Sequence, residues 1–164
     1  MTNARGWVAL GLNRASLAHS ARTAAAAIVS MYVAQLCRLP EAYWAAVTTM
    51  IVMQSTLGAA LTISGQRLAG TALGAMAGAL LAARFGANVL AFGGGVFVLG
   101  LICAVLHLER NAYRYAGITL AIVMLVARAA TAWIVAAHRF VEVAIGIVVG
   151  LVLTAVWPER GNNG

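Results

Sequence analysis

Arg67-Leu-Ala-Gly-Thr-Ala-Leu-Gly-Ala-Met-Ala-Gly78 places a permanent charge directly before three glycines spaced four apart. On a helix, Arg67, Thr71, Gly74 and Gly78 fall at i, i+4, i+7 and i+11, which is one face, with Gly70 beside it. Small residues at four-residue spacing let another helix approach closely in lipid. Gly70, Gly74 and Gly78 therefore read as packing residues. Arg67 reads differently, because a guanidinium at the centre of a membrane helix costs about 2.5–3.5 kcal/mol on insertion scales. It must reach the headgroups, pair with an acid or face a wet cavity. The bland reading is snorkelling from the first turn of a span; the functional one is a fork for a carboxylate.

The rest of the chain says which solvent applies. Its 164 residues suffice for one domain. They are 63% hydrophobic and 9% charged, against about 25% charged in soluble domains. The mean hydropathy is +0.92. So much apolar surface belongs in a bilayer. The net charge of +7 comes from eleven Arg and four Glu. The arginines are scattered between apolar runs, which excludes a nucleic-acid-binding face and suits residues that punctuate spans. Cys37 and Cys103 form no CxxC pair, no metal-ligand spacing occurs, and both read as small apolar residues.

Charges and breakers divide the chain. Residues 1–18 read as a basic cytoplasmic or interfacial arm with Trp7 at headgroup level. A membrane domain follows at 19–158, and a short cytoplasmic tail at 159–164. The first span, about 20–38, is expected to act as an uncleaved signal-anchor and ends before Pro40. The others are predicted at about 43–58, 63–84, 88–107, 112–128 and 138–157. Runs this long and Ala-rich form helices, because only helices or closed barrels satisfy the backbone in lipid. The fold expected is an all-α integral membrane protein, a bundle of six transmembrane helices. With the N-terminus inside, seven arginines face inward and four outward, which puts both termini in the cytoplasm.

The spans also repeat. Thr48-Thr-Met-Ile-Val-Met53 and Thr119-Leu-Ala-Ile-Val-Met124 share T-x-x-I-V-M at an offset of 71, and Tyr43 and Tyr115 precede them at an offset of 72. Arg67 is followed by Gly74 and Gly78, and Arg139 likewise by Gly146 and Gly150. Three spans per unit would invert the second copy. Inverted 3+3 repeats place transporter binding sites near the midplane. Coincidence in an Ala/Val/Gly-rich alphabet is the alternative.

Few residues could carry chemistry. Arg139 and Glu142 lie three apart and share a helical face, as a structural ion pair or as a proton-coupling centre. His138 is adjacent and is expected to point elsewhere, toward the interface. Gln54, Thr48, Thr49 and Thr119 are polar positions for interhelical hydrogen bonds or cavity lining. Tyr43 and Trp44 are interface anchors or a stacking surface for an aromatic ligand. Glu41 beside Pro40 reads as a solvated loop charge. No GxSxG, phosphate loop, zinc spacing or carboxylate pair occurs, so neither an enzyme nor a metal or other cofactor is expected.

The order of motifs resembles a known family. LP-x-x-YWA at 39–45, T-x-x-IVMQ at 48–54 and R-x-x-GT-x-x-G-x-x-x-G at 67–78 resemble the membrane half of the fusaric acid resistance-like (FUSC) proteins, of the aromatic acid exporter superfamily. Tyr115 with T-x-x-IVM, then Arg139, Glu142 and Gly146, and Trp157-Pro158 resemble its second half. The resemblance covers about residues 20–158. It implies six helices in the bacterial inner membrane and efflux of aromatic carboxylic acids driven by the proton gradient. It puts Arg67, Thr71, Arg139 and Glu142 in the translocation region, with Tyr43 or Trp44 meeting the ring. Larger relatives carry a cytoplasmic domain and often a duplicated unit. This chain stops at Gly164, so one copy is expected to be half a transporter that dimerises through exposed Gly/Ala faces. The other readings are a non-transporting scaffold or subunit of an envelope complex, and a passive anion channel.

Overall fold

The computed structural model describes residues 14–54, 56–126 and 131–157. The basic arm through residue 13 with Trp7, Arg128, Pro158 and the tail 159–164 lie outside the described residues. Six helices run through the rest: α1 Arg14–Leu36, α2 Tyr43–Val52, α3 Leu57–Phe85, α4 Val89–Val105, α5 Arg110–Ala121 and α6 Ala132–Val156. α5 continues into a π-helical turn at Ile122–Val126. α3 and α6 are each long and apolar enough to cross a bilayer. With the composition, they point to a membrane protein.

The helix ends follow from local chemistry. The Thr56 hydroxyl accepts the Ala59 amide and starts α3. The Asn88 side chain accepts the Leu90 and Ala91 amides and starts α4. Gly86, at φ 60°, ends α3 in the left-handed region that favours glycine. α1 and α4 end alike, in turns closed by Leu39 N–H to the Ala34 carbonyl and Leu108 N–H to the Cys103 carbonyl. Their left-handed positions hold Arg38 and His107 in place of the usual glycine.

α2 stops at Val52, six residues short of the end expected for its span at 58. Ten residues rise about 15 Å, half of a hydrocarbon core of about 30 Å. Met53 is extended, and the irregular turn after α5 falls on the matching Ile122-Val-Met124. Both copies of the I-V-M motif thus sit where regular helix ends. α3 begins at Leu57, six residues before the expected span, so Arg67 lies deep in the helix and not in its first turn.

Packing is set by glycine. α2 lies alongside α6 in the same direction. A Cβ at Gly146 would fall on the Ala45 carbonyl, and one at Gly150 would lie 3.2 Å from Val52. α3 lies alongside α5 in the same way. A Cβ at Gly70 would meet the Ala112 carbonyl, one at Gly74 the Ala116 backbone, and one at Gly78 would come within 2.9 Å of Val123. α3 and α6 cross antiparallel, with Ala60 near Val143 and Ile147 in one cluster and Ala79 near Ala132 and Ala136 in another. α4 is the least covered helix, with only Leu99 and Cys103 buried among its residues.

Candidate functional site

Arg67 stands ten residues into α3, about 15 Å along its axis. It is 5% exposed, so it does not reach for the headgroups as the bland reading expected. Its Nε and Nη2 both donate to the Thr48 hydroxyl of α2, at 3.2 and 3.1 Å. Its guanidinium lies over the Tyr115 ring of α5, 4.7 Å from the centroid. Among the described residues, no carboxylate lies within ion-pair distance of it. A hydroxyl and a π-face partly offset the charge and leave it un-neutralised.

Arg139, on α6, is 4% exposed and differently surrounded. Its Nη2 meets Glu41 Oε2 at 2.6 Å, and its Nη1 meets Glu142 Oε2 at 3.5 Å. It lies over the Trp44 ring of α2, 3.9 Å from the centroid. Glu41 belongs to the turn before α2 and is not the solvated loop charge that its place beside Pro40 suggested. His138 does not point away: with Pro40, Glu41, Val135, Arg139 and Glu142 it lines a cavity of about 40 Å³. That is room for one or two waters and too little for an aromatic acid. Of its lining groups, Arg139 Nε and Glu142 Oε1 are buried with no hydrogen-bond partner among the described residues, as is Nε1 of Trp44 beneath Arg139.

The two centres correspond. Arg67 and Arg139 are 72 residues apart, and the rings beneath them, Trp44 and Tyr115, are 71 apart. Gly74 on Ala116 matches Gly146 on Ala45, and Gly78 on Val123 matches Gly150 on Val52. Tyr115 therefore corresponds in space to Trp44, and not to Tyr43 as the motif alignment paired them.

The other candidates fall into place around these two. Thr71 is buried one turn beyond Arg67. Tyr43 is half exposed and tilts against Trp44, with ring centroids 5.5 Å apart. Thr49 donates to the Gly146 carbonyl at 3.0 Å and ties α2 to α6. Gln54 belongs to neither centre: it ends α2, and its amide turns back on the Ile51 carbonyl. Its own carbonyl accepts from Arg22 Nη2 at 2.8 Å, while Arg22 Nη1 holds the Trp157 carbonyl at 2.7 Å. Arg22 thus joins the C-terminal ends of α2 and α6, where helices leave unpaired carbonyls and partial negative charge. It also sets the N-terminal part of α1 beside the end of α6. Sequence reasoning used Arg22 only as an orientation charge.

The chain matches the fusaric acid resistance protein family over residues 16–163. It is similar to a protein of Escherichia coli K12 named an uncharacterized transporter, YdhK, at 30% identity over 98% of this chain. The protein of the same name from Escherichia coli O157:H7 is similar to the same degree. The chain spans 26% of the length of these relatives. No solved structure matches it.

Proposed function

This chain belongs to the fusaric acid resistance protein family, and from that membership we propose that it is a multi-pass inner-membrane exporter of aromatic carboxylic acids or related organic anions, coupled to protons and acting as a homodimer. The observation that carries the reading is Arg67: a buried cation, inside a helix able to cross a bilayer, without a carboxylate among the described residues. A charge so placed is costly and marks an ion path. The anion's carboxylate takes the guanidinium bonds now made to Thr48, because a fork-to-fork pair is stronger than a bond to a neutral hydroxyl. The Tyr115 ring beside it offers a π-face to an aromatic group. At 5% exposure Arg67 admits a ligand only when a packed helix moves.

We place six spans in the membrane as a 3+3 inverted repeat with both termini cytoplasmic. The matching contacts of the two arginines and the four glycines support the repeat. The excess of arginine on one side supports the orientation. We place the homodimer contact on α4, where Gly93 and Gly94 are exposed.

Flux of a panel of aromatic acids in proteoliposomes, with and without an imposed pH gradient, tests the reading. The exporter moves at least one of them, responds to the gradient, and stops with Arg67→Ala while still inserting. Flux that ignores the gradient identifies a passive channel. No flux of any anion, with a fixed partner co-purifying, identifies a non-transporting subunit.

A further inference from the structure

The two arginine centres share a geometry and differ in charge. Residues correspond at an offset of 71 between α2 and α5, and of 72 between α3 and α6. Glu41 then corresponds to Ala112, and Glu142 to Gly70. Both acids that face Arg139 are thus replaced by small residues around Arg67. The Arg67 centre sums to +1. The Arg139 centre, with Glu41 and Glu142 ionised, sums to −1. Opposite ligands bring each to neutrality.

We infer that the anion is received at Arg67 alone, and that the Arg139 centre is a separate proton site, with the proton held on Glu142 Oε1 in the 40 Å³ cavity. This rests on the transporter reading and divides its site in two. Glu142 is 1% exposed, and its Oε1 has no hydrogen-bond donor among the described residues. Oε2 already faces Arg139. A buried carboxylate oxygen without a protein donor is costly to hold charged; a proton removes the charge and makes Oε1 a donor into the cavity, where the Glu41 carboxylate or a water accepts. The step forms one O–H bond and breaks none in the protein; Arg139 stays charged and paired with Glu41. A metal cation fits poorly, because the Arg139 guanidinium repels it and the cavity offers few oxygens. Glu41, whose side chain is 37% exposed, opens the centre to water. The groups that face Glu142 are Arg139 and His138 of its own helix and Glu41 of the turn before α2. Behind Arg139 come Arg67 of α3 and Tyr43 of α2.

The test uses benzoate as the anion. Wild-type protein in proteoliposomes is expected to move benzoate at a rate set by the pH gradient and unaffected by a sodium gradient. Its infrared spectrum is expected to gain a protonated-carboxyl band on acidification. Glu142→Gln should lose that band and the response to pH together. Glu142→Asp should restore both in part. Arg67→Gln should weaken benzoate binding at least tenfold and keep the band. The division is overturned if the band survives in Glu142→Gln, if Glu142→Gln still responds to pH, if sodium replaces the proton, or if Arg67→Gln binds benzoate as wild type does. The infrared band needs no transport. A wild type that shows the band and moves no anion therefore sinks the exporter reading and spares the proton site.

Discussion

Replacing each buried arginine by methionine separates the two centres by stability alone. Arg139→Met leaves Glu142, 1% exposed, and Glu41 facing each other without a cation. Breaking a buried pair in this way costs about 3–5 kcal/mol. Arg67→Met loses the two bonds to Thr48, about 1.5–3 kcal/mol each for a charged donor and so about 3–6 kcal/mol together. It also removes a charge that costs about 2.5–3.5 kcal/mol to hold in a membrane helix. The second offsets much of the first, so Arg67→Met should lie between neutral and about 3 kcal/mol less stable than wild type, the smaller loss of the two variants. For a chain of this size, 1 kcal/mol moves Tm by about 2–4 °C. Thermal unfolding of the purified proteins should show Arg139→Met melting about 6–20 °C below wild type. Arg67→Met should melt between wild type and about 12 °C below it, less far down than Arg139→Met, yet carry no benzoate. A loss of Tm in Arg67→Met as large as that in Arg139→Met would refute the reasoning: that arginine would then be as much a structural brace as Arg139. Equal, small losses in both variants would show that Glu41 and Glu142 do not depend on Arg139.

Three further outcomes follow from the packing. Gly74→Ala puts a methyl 2.9 Å from the Ala116 Cα, where nothing can rotate away, and should cost about 1–3 kcal/mol in denaturant unfolding. Gly65→Ala, with nothing within 4 Å and away from the proposed dimer face, should be neutral or stabilising by up to about 1 kcal/mol; equal effects would undo the close-approach account. Thr49→Val removes the bond to the Gly146 carbonyl and should lower stability by about 1 kcal/mol, read by the same method. Arg22→Gln frees the Trp157 and Gln54 carbonyls, so amide exchange should rise at the last turns of α2 and α6 and stay unchanged at the start of α4.

The division into six helices was legible because arginines, Pro40 and the Trp/Tyr pairs punctuate a chain that is otherwise oil. The Arg139–Glu142 pair was legible too, since three residues along a helix is a local spacing. Glu41 was not. Its partner lies 98 residues away, and only the register fixed by Gly146 on Ala45 brings the two together. Arg67 was misplaced for a related reason. Hydropathy starts the span near residue 63, whereas the Thr56 cap starts the helix at Leu57, and those residues carry the charge inward. The end of α2 gave no signal at all: Met-Gln-Ser holds neither Pro nor Gly, and the guanidinium that meets the Gln54 carbonyl comes from α1.

The glycine contacts have a bearing on motion. Where a backbone without a side chain rests on a carbonyl, as Gly74 does on Ala116 and Gly146 on Ala45, there are no rotamers to absorb a shift. α3 with α5, and α2 with α6, must each travel as one body. Each body is a chimaera, one helix drawn from before residue 86 and one from after it. The seam between them carries the Arg67–Thr48 bond, so the moving parts of this molecule are not the two halves that its duplicated motifs suggest.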